Sequence, residues 1–139
     1  MDTLDPIRRS ANMAKIRAKD TGPELRVRTV AHGMGLRFRL YRKDLPGKPD
    51  LVFPKHRLAI FVHGCFWHRH EGCRRATMPG TRREFWEAKF ATTVQRDDRQ
   101  TAALESSGWR VLILWECELK NDEALRAVLR TAIDTPHVT

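Results

Sequence analysis

Two short, unbroken apolar runs constrain the fold of this chain more than any other feature. They occupy residues 58–62 and residues 111–115. Runs of this length without polar interruption are typical of strands covered on both faces, because a half-exposed strand alternates apolar and polar residues. Between them, residues 83–106 carry an inward-facing stripe at steps of three and four, which predicts a long helix. The stripe comprises Trp86, Phe90, Val94, Asp97, Thr101 and Leu104.

A capping pattern marks the start of an earlier helix. Thr21 takes the N-cap position, Pro23 lies in the first turn, and Glu24 follows the cap by three residues. The sequence therefore predicts a helix that begins at Thr21 and stops near Gly33. Apolar residues at helical spacing follow the cap at Val27, Val30, Ala31 and Met34.

Two further strands and a final helix complete the expected elements. Residues 36–41 alternate apolar and polar side chains, which predicts a half-buried strand with a basic outer face, and residues 50–53 follow as a second strand. A helix is expected over residues 122–133, since its apolar side chains share one face. That face comprises Leu125, Val128, Leu129 and Ile133. Strands interleaved with helices predict an α/β layered domain with a mixed central sheet.

The charge of the chain favours a polyanionic partner. Its 26 lysine and arginine residues against 17 aspartate and glutamate residues give a net charge of +9, and such a surface attracts nucleic acid. A merely basic soluble protein is the alternative. We expect one domain over residues 21–139, preceded by a flexible basic arm over residues 1–20. The arm is interpreted as ordering on DNA or, alternatively, as an ordinary frayed terminus.

Apolar content and cysteine usage both bear on the compartment. No segment approaches the roughly 20 consecutive apolar residues of a membrane span, and the first residues lack the apolar core of a signal peptide. We therefore expect a soluble, cytoplasmic protein without a membrane partner. Disulfides seldom persist there, so the three cysteines indicate either metal binding or buried free thiols.

Residues 63–73 are the segment densest in chemistry, with three histidines and two cysteines. Zinc prefers four nitrogen or sulfur ligands in a tetrahedron, and two cysteines with an intervening histidine supply three of them from one loop. The third cysteine follows the strand over residues 111–115 and supplies the fourth ligand if the two strands are neighbours. The cysteines are Cys65, Cys73 and Cys117. On spacing alone, either His68 or His70 fits as the histidine.

An acidic residue at a strand start indicates a second kind of metal site. Pro49 and Asp50 open one strand, and the next apolar run ends at Val62 and His63. This arrangement resembles that of PD-(D/E)xK nucleases, in which the acid and the following strand end hold a divalent metal. Phosphodiester hydrolysis needs such an ion because the attacking water must be deprotonated and the phosphorane charge neutralised. The second acid and the lysine of that motif are missing here.

Asp97 occupies an inward position of the long helix over residues 83–106. A buried carboxylate without a partner costs several kcal/mol. Asp97 is therefore expected either to pair with a cation or to act near a metal, whereas its neighbour Asp98 is expected at the solvated surface.

Five stretches of the chain, in colinear order over residues 9–119, resemble the very-short-patch repair (Vsr) endonucleases. They read RSANMAKIRAKDTGPE, DLPGKPDLVF, AIFVHGCFWHRH, TRREFWEAKF and GWRVLILWEC. The resemblance implies a restriction-endonuclease-like, PD-(D/E)xK-type three-layer α/β domain. Its mixed central sheet would be flanked by helices, and it would carry a structural zinc site.

The activity implied by the resemblance is that of a magnesium-dependent DNA mismatch endonuclease. Its partner would be double-stranded DNA containing a T:G mismatch, which deamination of 5-methylcytosine leaves, and it would nick on the 5′ side of the thymine. A monomer with a single metal centre has no symmetry partner for the second strand, so only a nick is expected. Other mismatch-repair proteins are expected as further partners.

The resemblance also implies roles for individual residues. Asp50 would bind magnesium together with the backbone carbonyl of Val62, and His68 would activate or orient the attacking water. Supporting positions around that metal would be Glu24, His63 and Asp97. Capping is the alternative role for Glu24. The zinc ligands would be Cys65, His70, Cys73 and Cys117.

Aromatic and basic side chains would contact the DNA. Phe66, Trp67 and Trp86 resemble the wedge with which the family enters the base stack, and insertion is cheapest where pairing is already poor. Helix core is the alternative for Trp86. Further DNA contacts are expected from Met13, Lys15, Arg37 and Arg39.

Two other functions remain open at this level. One is a related nuclease for another DNA structure or sequence, in which basic side chains serve only as phosphate contacts. Those side chains are Arg37, Arg39, Arg74 and Arg75. The other is a non-catalytic, zinc-stabilised DNA-binding module, in which Asp50 and His68 have no role.

Overall fold

The computed structural model describes residues 21–135. This part of the chain contains three strands, three α-helices and two short 3-10 helices. The elements are α1 (Gly22–Gly33), β1 (Leu51–Phe53), a 3-10 helix (Pro54–His56), β2 (Leu58–His63), α2 (Arg83–Ser106), β3 (Arg110–Trp115), a 3-10 helix (Glu116–Glu118) and α3 (Asp122–Asp134). The expected basic arm, with Met13 and Lys15, lies outside the described residues.

The three strands form a sheet in the order β1-β2-β3, and the sheet is mixed, as predicted. β1 runs antiparallel to β2, with Leu51 opposite Ile60. β2 and β3 run parallel, with His63 opposite Trp115, and α2 forms the connection between them. The carboxyl ends of β2 and β3 therefore meet at one edge of the sheet.

Both faces of the sheet are covered. On one face, alternate strand residues such as Leu58 and Ile60 pack in a cluster with α1 and α3. On the other face, Ala59 and Phe61 pack with Leu104 of α2. The central strand β2 is almost entirely buried, whereas most residues of β3, which is an edge strand in the described sheet, are only half-buried.

The helix starts agree with the capping chemistry. The hydroxyl of Thr21 accepts a hydrogen bond from the Glu24 backbone amide at 3.3 Å. The Asn121 side chain accepts from the backbone amides of Glu123 and Ala124 at 2.8 and 3.1 Å, which caps α3 in the same way. α2 follows its expected stripe, since Phe90 and Leu104 are buried and the other members are half-buried.

Two expectations about local structure are wrong. Residues 36–41 alternate in burial as predicted, but their described pairing is an isolated bridge between Arg39 and Val52 rather than a strand. The neighbouring positions on that edge offer no further donor, because the Asp50 amide is bonded to Ile60 and Pro54 has no N–H. Val128, expected inside, is 42% exposed.

Within residues 21–135, no helix has both the length and the apolar character that crossing a bilayer requires.

Candidate functional site

The predicted catalytic residues meet at the edge of the sheet where β2 and β3 end. Asp50 directly precedes β1, and its carboxylate Oδ2 accepts a hydrogen bond from the Val62 backbone amide at 2.7 Å. The antiparallel pairing of β1 with β2 brings the start of one strand beside the end of the other. Asp50 and Val62 are thus neighbours in space, as a shared metal site requires.

A second carboxylate lies beside Asp50. Glu24, in the first turn of α1, is 6% exposed, and its Oε2 is 3.3 Å from Nη2 of Arg28. Burial raises the pKa of Asp50 to about 7; the Val62 amide opposes this shift and the Glu24 carboxylate adds to it. Two acidic groups in a poorly hydrated place repel each other when both are charged, so the pair favours a bound cation.

His68 and Asp97 form a hydrogen-bonded pair, with 2.6 Å between Nδ1 and Oδ2. This pair gives the inward carboxylate of α2 the partner that its position requires. When the Asp97 carboxylate accepts a hydrogen bond from the Nδ1–H of a neutral His68, the Nε2 of that ring carries a lone pair and can accept a proton. The His63 ring stacks on His68, with centroids 3.8 Å apart and planes 7° apart. Burial, followed by the charge of His68, lowers the pKa of His63 to about 4, so His63 is neutral near pH 7.

One cleft of about 500 Å³ is lined by every residue predicted to be catalytic. These residues are Glu24, Asp50, Val62, His63, His68 and Asp97. The cleft also contains three cations that the sequence did not identify, Lys43, Lys48 and Arg96. Lys43 and Lys48 lie in a turn-rich stretch without periodicity, so no sequence pattern marks them as site residues. For Arg96, the only such indication in the sequence is its position next to Asp97.

The donors in this cleft fit a magnesium ion. Mg²⁺ prefers oxygen ligands in an octahedron and is usually held by one or two carboxylates while it keeps several waters. Asp50 and Glu24 supply carboxylates, and Val62 lines the same cleft. A softer nitrogen-rich group, His63, His68 and Asp97, lies beside them with its ligand atoms within 4.8 Å of one another.

A separate cluster contains all three cysteines and His70. One ligand atom from each residue lies within 4.8 Å of the others, and Sγ of Cys117 is 3.4 Å from Nδ1 of His70. A tetrahedral zinc ion with bonds of about 2.0 Å to nitrogen and 2.3 Å to sulfur has sulfur–nitrogen edges of about 3.5 Å. The cluster therefore fits zinc, and the structure separates the two histidines that spacing left equivalent, because His68 points instead to Asp97.

The cysteine thiols differ in acidity. A hydrogen bond with the backbone of Arg75 lowers the pKa of Cys73 to about 7, whereas burial raises the pKa of Cys65 to about 12. Metal binding would deprotonate both thiols. His70 stacks on Trp115, with centroids 4.3 Å apart, and His63 meets the same indole edge-on at 5.2 Å. Trp115, which the sequence analysis did not identify as a site residue, thus lies between His70 of the cysteine cluster and His63 of the cleft.

The three residues predicted to enter the DNA stack form one aromatic cluster. The Phe66 ring is 5.0 Å from Trp67 and 6.4 Å from Trp86, and the two indoles are 5.9 Å apart. All three are half-buried. Trp86 also packs at 5.7 Å on the buried Phe90, so it shares in the helix core while part of its surface stays accessible.

Arg37 and Arg39 lie elsewhere. Both are exposed and line a groove with His32 and Phe38, apart from the cleft that contains Asp50. Arg74 is also exposed, and Arg75 lies 3.7 Å from the carboxylate of Glu116.

Comparison with known proteins identifies similar chains. The family model described as DNA mismatch endonuclease Vsr matches residues 1–75. The chain is 51% identical over 133 residues to the type II nicking enzyme V.XorIIP of Xanthomonas oryzae pv. oryzae, covering 96% of this chain and 97% of that protein. It is 46% identical over 124 residues to the DNA mismatch endonuclease Vsr of Escherichia coli, covering 89% and 79%. Identity to the type II nicking enzyme V.NmeAIP of Neisseria meningitidis is 37%, over 95% of this chain and 94% of that protein.

Proposed function

The chain belongs to the Vsr family of DNA mismatch endonucleases, and from this premise we propose that it nicks duplex DNA on the 5′ side of the thymine in a T:G mismatch. Such mismatches arise when 5-methylcytosine deaminates, and the nick would start very-short-patch repair. The α/β domain would be of the restriction-endonuclease-like, three-layer type. With one catalytic cleft in the described residues, a monomer would cut one strand only.

The observation that carries the proposal is the convergence of six predicted catalytic residues on one cleft. Asp50 and the Val62 carbonyl would hold magnesium, with Glu24 beside them. Bound magnesium would neutralise charge on the scissile phosphate and increase the acidity of an attacking water. His68, held at Nδ1 by Asp97 at 2.6 Å, would accept the proton of that water at Nε2. His63 would fix the plane of the His68 ring by stacking on it.

Cations in the cleft would bind the substrate backbone. Lys43, Lys48 and Arg96 lie among the catalytic side chains, where the charge of a phosphate would otherwise meet two carboxylates. They would supply the positive charge that the PD-(D/E)xK motif provides through its lysine, which this chain lacks. Arg37 and Arg39 would contact phosphates further along the duplex.

A closed zinc site would brace the loop that carries the aromatic residues. Cys65, His70, Cys73 and Cys117 offer four ligands and leave no open position, which is typical of structural rather than catalytic zinc. The chain between the first two ligands contains Phe66, Trp67 and His68. Zinc binding would therefore fix Phe66 and Trp67 of the wedge together with His68.

Mismatch selection would come from the aromatic cluster. Insertion of Phe66, Trp67 and Trp86 into the stack requires unstacking, which costs a few kcal/mol per step and least at a mismatch. A nuclease of different specificity is the second candidate, because V.XorIIP, at 51% identity, is named a nicking enzyme without reference to a mismatch.

A panel of labelled duplexes tests this function. With magnesium, a duplex with T:G is expected to be nicked 5′ of the thymine, and a matched duplex and other mismatches far more slowly. Asp50→Asn keeps the size of the side chain but removes its charge. We expect it to lower the nicking rate more than about a hundredfold, beyond the range typical of outer partners of a metal. DNA binding should stay within about tenfold, since phosphate contacts dominate affinity.

Two outcomes of the panel would contradict different parts of the proposal. Equal nicking of matched and T:G duplexes would reject mismatch specificity and favour the second candidate. Nicking by Asp50→Asn at the wild-type rate would remove the magnesium assignment.

A further inference from the structure

Arg69 lies between His68 and His70, and the proposed mechanism gives it no role. Its backbone has a φ of 56°, in the left-handed region that arginine seldom adopts and that persists only where surrounding contacts hold it. The turn there sends the two histidines in different directions. His68 reaches Asp97 of α2, and His70 reaches Cys117 in the cysteine cluster.

The guanidinium of Arg69 joins the two ends of the loop from Phe66 to Thr77. Its Nη1 donates to the carbonyl oxygens of Phe66 at 3.2 Å and Thr77 at 2.9 Å, and its Nη2 donates to that of Ala76 at 3.0 Å. The chain between these carbonyls includes Cys73. A planar guanidinium can serve three acceptors at once, whereas a lysine ammonium at this position has no comparable fork.

The same guanidinium also contacts aromatic rings. It lies 4.1 Å from the centroid of Phe90 and 5.6 Å from that of Phe66. Phe90 is a buried residue of α2, and its ring meets that of Phe66 edge-on at 5.2 Å. Arg69 thus connects the loop to the helix through cation–π contact as well as hydrogen bonds.

These contacts restrain Phe66 at both its backbone and its side chain. The carbonyl of Phe66 is bonded to Arg69, and its ring touches the same guanidinium and Phe90. The Trp67 ring rests on Phe66 in an edge-on contact at 5.0 Å. A change at Arg69 would therefore alter how both rings of this pair are presented beside His68, without removing either ring.

We propose that Arg69 is a positioning residue that sets the pose of Phe66 and Trp67 and thereby the preference for a T:G duplex over a matched one. The inference rests on the proposed function. A misplaced wedge cannot enter the mismatch correctly, so T:G nicking slows. Nicking of matched DNA, which resists the wedge in any case, changes little. The ratio of the two rates falls as a result.

Two substitutions at Arg69 and one control test the role. Arg69→Gln removes the charge and most donors, and Arg69→Lys keeps a cation near Phe90 but loses the fork. Arg74→Gln removes one charge from an exposed position of the same loop and serves as the matched control. For each variant, kcat and KM are measured on both duplexes, together with zinc content and Tm. The fluorescence of 2-aminopurine beside the mismatch reports unstacking in magnesium-free buffer.

For Arg69→Gln, the T:G-to-matched ratio of kcat is expected to fall about tenfold to a hundredfold, in the range that small misplacements in an active site cause. The 2-aminopurine signal should fall with it, and zinc content should stay at the wild-type level. Both values for Arg69→Lys should lie between those of Arg69→Gln and wild type. If Arg69→Gln does not fold, Arg69→Lys is compared with wild type instead. Arg74→Gln should raise KM on both duplexes and leave the ratio and the fluorescence unchanged.

Other outcomes would overturn the inference. An equal fall on both duplexes, loss of zinc with a lower Tm, or an unchanged 2-aminopurine signal would make Arg69 purely structural. A wild-type protein that nicks both duplexes alike would refute the proposed function instead. If wild type prefers the T:G duplex and both Arg69 variants prefer it equally strongly, the proposed role of Arg69 is refuted while the proposed function stands.

Discussion

Asp97 illustrates how a single residue links the helix pattern to the chemistry. Its position in the stripe of α2 required a partner, and the structure supplies His68 at 2.6 Å. Residue patterns alone could not identify that partner, because His68 lies 29 positions away in a loop without regular structure. Helix periodicity determines which side of a helix a residue faces, but it carries no information about the loop that packs there.

Asp97→Asn tests whether this pair acts in catalysis. The amide can keep the size of the side chain but not its charge, so it cannot stabilise a protonated His68 after proton transfer. General base catalysis contributes about 10²- to 10⁴-fold, and we expect kcat to fall by about a hundredfold or more while KM changes little. Single-turnover nicking of a T:G duplex measures the effect. Asp98→Asn changes the exposed neighbour; it is the control and should nick at the wild-type rate. If Asp97→Asn also nicks at the wild-type rate, the Asp97–His68 pair has no role in the reaction.

At the level of elements, prediction succeeded where one pattern determined the outcome. β2, β3 and α2 lie where unbroken apolar runs and the stripe indicated, and the helix start at Thr21 follows from its cap. Residues 36–41 keep the alternation of a strand yet make an isolated bridge, because pairing depends on donors of the neighbouring strand that the segment itself does not reveal. The cleft cations Lys43 and Lys48 were missed for a similar reason, since only tertiary folding brings them beside Asp50.

The loop that follows β2 depends on its metal, if the four clustered ligands bind zinc as proposed. Cys117→Ala removes the ligand supplied from the end of β3, and the loop then loses its metal-mediated link to that strand. We expect loss of bound zinc, faster proteolysis within residues 64–82 and strongly reduced nicking. A loss of a few kcal/mol lowers Tm by roughly 10 °C in a domain of this size.

Metal analysis, limited proteolysis and thermal melting check that expectation. Chelation followed by magnesium alone should leave the wild type inactive, and adding zinc as well should restore it. Cys117→Ala should recover under neither condition. A chelated wild type that regains full activity with magnesium alone would rule out a role for zinc in holding the loop.

For the whole molecule, the net charge of +9 makes DNA binding a matter of counterion release. Each phosphate neutralised contributes about −0.9 to the slope of log affinity against log salt concentration. Arg37 and Arg39 line a groove away from the cleft. Substituting them should therefore weaken DNA binding without changing the rate of the chemical step. The double variant Arg37→Gln with Arg39→Gln is expected to reduce the steepness of this slope by about 2, while kcat at saturating DNA stays at the wild-type value.

The control for this experiment is a cation already engaged within the protein. Arg26 lies 2.7 Å from the carboxylate of Asp122 and donates to the Lys120 carbonyl at 2.9 Å, and Arg26→Gln should leave the salt slope unchanged. Fluorescence anisotropy across a salt series gives all three slopes with one labelled duplex. If the double variant keeps the wild-type slope, the groove lies outside the DNA footprint, and other cations of the chain hold the duplex.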